Sequence, residues 1–144
     1  MNRKQEIPEV AAGGFILNKK GEILLIKSPK WGEKFVVCGG HVNFGEKMED
    51  AVKREIKEEV GLDIDVLELL TVQEAIFDKN FHRQTHFIFL EFLCLAKNPK
   101  QIKIDNREII SYIWIKPKDA LKLDLEKYTK KVIKKFLIRT KSKK

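Results

Sequence analysis

The stretch 40-GHVNFGEKMEDAVKREIKEEVGL-62 decides how this chain is interpreted. Helix-forming residues dominate Met48–Val60, and Gly61 followed by Leu62 is typical of a Schellman-type helix end with its apolar contact. The sequence therefore predicts a helix over Met48–Val60. That helix carries three clustered glutamates: Glu55, Glu58 and Glu59.

The three glutamates share an arc with apolar residues. At about 100° per residue, they occupy roughly 100° of the helix circumference. The apolar residues on or beside this arc are Met48, Ala51, Val52, Ile56 and Val60. Lys53, Lys57 and Asp50 fall on the opposite side. The acids are thus predicted to face the protein rather than the solvent.

Three carboxylates in this arrangement repel one another, and partial burial makes each one costlier to ionise. One interpretation is a salt-bridged helix that uses Lys53, Arg54 and Lys57. Another is a site for a hard divalent ion with oxygen ligands, Mg²⁺ or Mn²⁺. The pair Gly39-Gly40 precedes the helix and would let a main-chain oxygen approach such an ion, although a simple turn explains the glycines equally well.

Hydrophobic patterning predicts a mixed sheet covered by helices, in one domain of residues 1–144. The predicted strands are Glu9–Leu17, Glu22–Lys27, Phe35–Cys38, Val66–Phe77, His86–Ala96 and Ile109–Ile115, with a hairpin between the first two. The segments Ser28–Gly32 and Asp78–Gln84 are predicted loops, and Gly39-Gly40 is expected to end the third strand. A C-terminal helix is predicted from about Glu126 to Arg139, with an apolar face of Tyr128, Val132, Ile133, Phe136 and Leu137.

Composition limits the class of protein. The N-terminus is charged, the apolar runs are short, and Cys38 and Cys94 form no C-x-x-C pair, so we expect a cytoplasmic protein with two buried thiols and no membrane segment. The net charge of +8 is concentrated in residues 116–144, which contain eleven lysines and one arginine but only three acids. This basic segment suits a polyanionic substrate or nucleic acid, or simply keeps a helix solvated.

The spacing of the opening stretch resembles the Nudix box, G-x5-E-x7-R-E-U-x-E-E-x-G-U, where U is a bulky aliphatic residue. Gly40, Glu46 and the run 54–62 match every specified position. The order of elements also resembles the Nudix fold: an α/β/α sandwich with a mixed β-sheet, a box helix and a C-terminal helix. The resemblance implies Mg²⁺-dependent hydrolysis of a nucleoside diphosphate linked to another moiety, with Mn²⁺ as a possible substitute.

The resemblance also implies roles for the matching residues. Glu58 and Glu59 would be metal ligands, Glu55 a further ligand or the base that activates water, and the Gly39 carbonyl a main-chain ligand. Arg54 would orient a glutamate by a charge-assisted hydrogen bond.

Four further residues complete the expected site. Glu46 would support the junction between loop and helix, and Gly40 and Gly61 are the structural glycines of the box. Some family members use a downstream glutamate as base or extra ligand. Glu108 is the candidate here, ahead of the weaker alternatives Glu91 and Glu74.

The substrate is less well defined. The segment 108–126 resembles that of small bacterial-type nucleoside triphosphatases, which favours cleavage of a (deoxy)nucleoside triphosphate to monophosphate and pyrophosphate. Nucleotide sugars, ADP-ribose and dinucleoside polyphosphates remain alternatives. Superfamily members that hydrolyse ADP-ribose tend to carry a proline downstream of the box. This chain has Asp78 near that place and no proline between Pro29 and Pro99, so the resemblance disfavours ADP-ribose.

Base recognition usually needs an aromatic stacking partner. The candidates for contact with base or phosphate are Phe35, Phe81 and Arg83, with Trp31, Phe87 and His82 nearby. A small-molecule nucleotide is the expected partner, bound by a monomer or homodimer. Two other classes stay open: an RNA-end hydrolase or nucleic-acid binder that uses the basic C-terminal helix, and a non-catalytic nucleotide sensor.

Overall fold

A computed structural model describes residues 6–105 and 107–142 of the chain. Most of the charged N-terminus, residues 1–5, and the final two lysines of the basic segment lie outside these ranges. The strands are β1 Glu9–Leu17, β2 Ile23–Lys27, β3 Lys30–Glu33, β4 Phe35–Val36, β5 Cys38–His41, β6 Ile64–Ile76, β7 His86–Ala96 and β8 Ser111–Ile115. The helices are α1 Met48–Val60, α2 Pro117–Ala120 and α3 Lys127–Ser142, with a 3₁₀ turn at Pro99–Gln101.

Seven of these strands form one mixed sheet. Its main order is β4-β2-β1-β7-β6, while β5 pairs with β1 and β8 pairs with β2. The β1–β7 pair is parallel and the other strand pairs are antiparallel. The predicted hairpin between β1 and β2 is confirmed, with Leu17 opposite Ile23. In the described part of the chain, no helix is both long and apolar enough to cross a membrane.

The two faces of the sheet are covered by different helices. Successive residues of a strand point to opposite faces, so Ile16 packs in the cluster that contains Val52 and Ile56 of α1. Its neighbour Phe15 packs in the cluster that contains Val132 and Ile133 of α3. The predicted α/β/α sandwich is therefore confirmed.

Helix α1 has the predicted bounds. Gly61 ends it in the left-handed region, at φ 74° and ψ 10°, and its N–H donates to the Lys57 carbonyl at 3.0 Å. The following Leu62 is fully buried, which completes the expected helix end. Met48 differs from expectation, because at the first position of the helix it lies beyond the core and stays 44% exposed.

Several predicted boundaries are wrong. The loop at Ser28–Gly32 contains the start of β3, and the run Phe35–Cys38 is divided into β4 and β5 at Val37, whose N–H donates to the Thr129 hydroxyl at 3.2 Å. Strand β6 covers Ile64–Ile76 rather than Val66–Phe77. Strands β2 and β8 begin one and two residues later than predicted, and α3 begins after Glu126 and ends at Ser142. Helix α2 was not predicted.

Gly39 and Gly40 do not end a strand as expected. They continue β5 and pair with Gly13 and Ala12 of β1. A side chain at Gly39 would place its Cβ 2.5 Å from the Ala12 carbonyl oxygen, whereas one at Gly40 would lie 2.3 Å from the carboxyl group of Glu55. Glycine is needed here for close approach of the chain.

We predict that Gly39→Ala destabilises the protein more than Gly40→Ala. A Cβ at Gly39 meets backbone that cannot move without breaking the β1–β5 pairing, which costs roughly 2–4 kcal/mol. A Cβ at Gly40 meets only the end of the Glu55 side chain, which can rotate away at a cost of about 1 kcal/mol. Urea unfolding of both variants measures the difference. Equal losses would contradict this explanation of the glycine pair.

Candidate active site

Arg54 joins the three segments that build the site. Its Nε and Nη2 donate to the two oxygens of Glu46 at 2.9 and 3.0 Å, and Nη2 also donates to the His41 carbonyl at 2.9 Å. Its Nη1 donates to Glu55 at 2.9 Å and lies 3.4 Å from Glu58. One guanidinium thus ties the loop, the end of β5 and helix α1 together.

The Glu46 carboxylate has a second anchor. It accepts the N–H of Asn43 at 3.0 Å, and this bond and the Arg54 guanidinium, the larger effect, hold the pKa of Glu46 at about 2. Glu46 therefore stays ionised and fixes the loop at the start of α1. This geometry agrees with the predicted supporting role of Glu46 and the predicted orienting role of Arg54.

Glu59 lies on the same helix but has no such cationic partner at hydrogen-bond distance among the described residues. Its Oε1 accepts the N–H of Gly39 at 2.8 Å. Burial, together with the negative charges of Glu55 and Glu108, raises the pKa of Glu59 to about 8, against the weaker opposing effects of the Gly39 N–H and Lys30. A cation bound here would relieve this cost.

The donor set of the acidic face, which we define as Glu55, Glu58 and Glu59, fits a hard divalent ion by its chemistry. Two of the carboxylates contact the glycine pair, Glu59 at Gly39 and Glu55 at Gly40. Among the described residues, no three acidic, histidine or cysteine side chains converge closely enough to form a ready metal cluster. Arg54 accounts for this, because it holds Glu55 and Glu58 while Glu59 turns to Gly39.

Glu108 lies outside α1 and approaches the acidic face by a different route. Its N–H donates to the Asp105 side chain at 3.1 Å, and its charge contributes to the raised pKa of Glu59. The structure thus brings Glu108 within electrostatic range of the acidic face. Glu74, one of the two weaker alternatives, is exposed and pairs with His86 at 3.3 Å.

A pocket on the α3 side of the sheet extends to Gly39 and Gly40, next to the acidic face. We call it the aromatic pocket, and its aromatic lining consists of Trp31, Phe81, Phe87, Phe89 and Tyr128. Its lining also includes Gly39 and Gly40, the glycines that contact Glu59 and Glu55. The glycine pair is therefore the boundary that the aromatic pocket shares with the acidic face.

The predicted base-contact residues have different positions. Phe81 lines the aromatic pocket, as do Trp31 and Phe87. Phe35 is not among the lining residues; its ring packs with the α3-side core and lies 4.7 Å from the Lys27 ammonium. A phenylalanine next to a strand break gives no signal of which side its ring will take.

Arg83 lies at the edge of the aromatic ring group rather than in the pocket lining. Its guanidinium carbon is 5.5 Å from the centre of the Phe81 ring. Its two terminal nitrogens donate to the Glu9 carboxylate at 2.8 and 2.7 Å. The same carboxylate also binds the hydroxyl of Thr85 and Nε2 of His41, the latter at 2.6 Å. Glu9 therefore holds Arg83 and His41 together.

Two buried acids line the aromatic pocket, Glu91 and Glu126, and the sequence predicted this position for neither of them. Burial raises the pKa of both, that of Glu91 to about 7. Glu126 caps α3 through the N–H groups of Tyr128 and Thr129. The available signal was a lone carboxylate in the apolar run 86–96, which we considered only as a downstream base. On β7, Glu91 approaches Gly13 from the face opposite α1.

The titration of Glu91 predicts a pH-dependent stability. In the unfolded chain its proton leaves near the ordinary pKa of 4.5, whereas the folded protein keeps it up to about 7. Between these values the folded state binds more protons, so the free energy of unfolding falls as pH rises, by about 3 kcal/mol in total. Glu91→Gln cannot ionise and should lose this part of the slope.

Urea unfolding in EDTA, from about pH 5 to about pH 8, measures this effect. The stability of Glu91→Gln relative to wild type should rise across this interval. Asp65→Asn, a charge change at an exposed residue paired with Lys97, should run parallel to wild type. Parallel curves for wild type and Glu91→Gln would contradict the burial of an ionisable carboxyl group.

Comparisons with known proteins identify the family. A model of the NUDIX domain matches residues 7–136. Nucleoside triphosphatase NudI of Escherichia coli is 30% identical over 128 residues, which cover 85% of this chain and 86% of that protein.

Solved structures agree with this match. The MutT NUDIX hydrolase from Burkholderia pseudomallei is 27% identical, with a TM-score of 0.77 over 90% of this chain and 98% of that one. The MutT protein from Methanosarcina mazei Go1 is 22% identical and shares the fold, with a TM-score of 0.79 over 96% of this chain and 99% of that one. Because the family model spans most of the chain and agrees with the box, the fold and the relative, this protein is an enzyme of the Nudix hydrolase family.

Proposed function

We propose that residues 1–144 form one catalytic domain that cleaves a (deoxy)nucleoside triphosphate to the monophosphate and pyrophosphate. The observation that carries this proposal is that Gly39 and Gly40 line the aromatic pocket and also contact Glu59 and Glu55 of the acidic face. A base stacked in the aromatic pocket leaves its phosphates beside the carboxylates. The similarity to a protein named nucleoside triphosphatase supports the same substrate class.

Mg²⁺, or Mn²⁺ in its place, would be held by the acidic face and the Gly39 carbonyl; when bound, it neutralises phosphate charge and lowers the pKa of a water. Glu58 is suited to this role because its side chain is 60% exposed. Its contact with Arg54, at 3.4 Å, is long for a hydrogen bond and therefore weak. Glu59 contributes a carboxylate whose burial costs least when a cation is present.

The remaining residues position these groups. Arg54 would keep its two bonds to Glu46 and so hold α1 against the loop. Glu55 and Glu58 would leave Arg54 and bind the metal instead. Glu55, directly over Gly40, is either a further metal ligand or the group that accepts the proton of the attacking water. Glu108 is the alternative acceptor, since its charge already acts on Glu59.

A second candidate function rests on the outer face of α3. Lys130, Lys134 and Lys135 are exposed there, and Lys131 lies 5.8 Å from the centre of the Tyr128 ring. A row of exposed lysines beside a phosphate-cleaving site suits the end of an RNA chain. Nucleotide sugars, ADP-ribose and dinucleoside polyphosphates are the small-molecule alternatives.

We also propose that the protein acts in the cytoplasm as a monomer or homodimer. Its two cysteines, Cys38 and Cys94, are buried free thiols, and burial raises the pKa of both. Unpaired cysteines are usual in a reducing compartment.

The substrate proposal predicts pyrophosphate release from nucleoside triphosphates in the presence of Mg²⁺. Hydrolysis of nucleotide sugars, ADP-ribose and dinucleoside polyphosphates, which release no pyrophosphate and are followed by their nucleotide products, should be slower. Activity confined to one of those classes would overturn the proposal that a nucleoside triphosphate is the substrate. Decapping of RNA that is lost with salt and with neutral substitutions at Lys130, Lys134 and Lys135 would favour the second function.

The metal proposal predicts opposite effects of Glu59→Gln on stability and activity. Glu59→Gln removes the cost of burying an acid whose pKa is raised to about 8, so the melting temperature in EDTA should rise at neutral pH and above, while Mg²⁺ affinity and kcat fall. We expect kcat to fall by about 100-fold or more, since even partners outside the ligand shell are worth about 10–100-fold. Glu58→Gln should lower kcat similarly.

Calorimetric Mg²⁺ titration and steady-state kinetics provide the measurements. Glu49→Gln is the matched control, because Glu49 is exposed in the first turn of the same helix, and it should behave as wild type. Normal Mg²⁺ binding and turnover by Glu58→Gln and Glu59→Gln would sink the proposal.

A further inference from the structure

Glu91 is a carboxyl group that the hydrolytic chemistry does not use. It lies on β7 among aromatic and aliphatic residues and is only 4% exposed, yet it lines the aromatic pocket. A carboxyl group at such a position is costly unless it is bonded or performs a function. It is therefore the strongest candidate for contact with the part of the substrate that enters the aromatic pocket.

The hydrogen bonds of Glu91 are unequally divided between its two oxygens. Oε1 accepts the Thr71 hydroxyl at 2.5 Å and the Gln73 amide at 3.1 Å. Oε2 accepts no hydrogen bond from the described residues. The same Gln73 nitrogen also donates to the Tyr128 carbonyl at 2.9 Å, so the amide cannot turn over without facing two acceptors. The neighbouring strand thus fixes Oε1 and leaves Oε2 available.

The surroundings of Glu91 suit a flat ligand. The centre of the Phe89 ring lies 4.9 Å from that of Phe87 and 5.4 Å from that of Tyr128. The ring centres of Trp31 and Phe81 are 4.8 Å apart. Gly13 contributes no side chain, and a Cβ there would come within 3.9 Å of the Glu91 Cγ. Aromatic walls around one available carboxyl oxygen form a stacking site with a polar selector.

We infer that Glu91 determines which nucleobase the enzyme accepts, by receiving on Oε2 a hydrogen bond from an amino group on the base edge. This inference rests on the proposed function. Glu126, the second acid of the aromatic pocket, cannot accept in the same way, because both of its oxygens already accept backbone N–H groups. Its negative charge repels a carbonyl oxygen of a base bound nearby. Amino-bearing bases (adenine, cytosine and guanine) should therefore be preferred over uracil and thymine, whose edges carry two carbonyls.

Glu91→Gln tests this directly, because it should reverse the polarity of the available atom. Thr71 and Gln73 both donate, so the introduced amide would direct its oxygen to them and its NH₂ group into the aromatic pocket. A donor in that place favours a carbonyl-bearing base. Glu91→Asp is a second variant, which keeps the charge but withdraws it by one methylene.

The experiment compares kcat/KM for pyrophosphate release from CTP and UTP, and from ATP and GTP, in wild type and each variant. The assays are run at about pH 8.5, above the pKa of about 7 of Glu91, so that Oε2 carries no proton and accepts. Wild type should prefer CTP to UTP. Glu91→Gln should lower the CTP/UTP ratio by about 10-fold or more, the worth of one hydrogen bond to a charged group, whereas Glu91→Asp should keep the direction of the preference. Asp65→Asn, the exposed control, should leave the ratio at its wild-type value.

Binding of CMP and UMP gives a readout without turnover. It is measured by the fluorescence change of Trp31; Trp114 contributes the same background in every variant. The ratio of the two dissociation constants should shift as the kinetic ratio does. An unchanged CTP/UTP ratio in a folded Glu91→Gln that still hydrolyses triphosphates would overturn the inference and leave the proposed function intact. No hydrolysis of any triphosphate by wild type would overturn both.

Discussion

The guanidinium of Arg54 is the interaction on which the rest of the site depends. It binds Glu46 in the loop, the His41 carbonyl at the end of β5, and Glu55 in α1. Its partners are partly shielded from water, which makes such charge-assisted bonds stronger than those on an open surface. Loss of Arg54 would release three segments at once and leave several carboxylates without a counter-charge.

Arg54 leaves one electrostatic cost in place. Glu59 is directed at the Gly39 N–H and its pKa is raised to about 8 because it is buried near other acids. A structure that keeps a carboxylate in this condition sacrifices stability for a site, since a neutral residue of similar size would cost less. The glycine pair links this site to the aromatic pocket, because Gly39 and Gly40 contact the acidic face and also line the aromatic pocket.

Much of this arrangement could be predicted from the sequence, and the rest fails for identifiable reasons. The bounds of α1 follow from helix-forming residues and the stop at Gly61 and Leu62, which are local signals. The continuation of β5 through Gly39 does not, because its backbone partner Gly13 is distant in sequence. Propensity treats glycine as a strand breaker, whereas here the closeness of two chains requires it.

The same limit applies to side chains. The wheel placed the glutamates of α1 on its inward side, which is correct for Glu55 and Glu59 but wrong for Glu58, whose side chain is 60% exposed. The resemblance supplied their expected roles. Neither the wheel nor the resemblance could show that Phe35 packs away from the aromatic pocket, or that one oxygen of Glu91 accepts its hydrogen bonds from the neighbouring strand. Both facts depend on strand register, which residue types alone do not specify.

The central claim is that the acidic face of α1 is a metal centre that places phosphates beside a base held in the aromatic pocket. The most direct measurement is a crystal structure with Mn²⁺ and a non-hydrolysable nucleoside triphosphate, in which anomalous scattering locates the metal. We predict a Mn²⁺ peak bound by Glu58 and Glu59, with Arg54 still bonded to Glu46 and the base between the aromatic rings. Metal located away from α1, or a base outside the aromatic pocket, would contradict it.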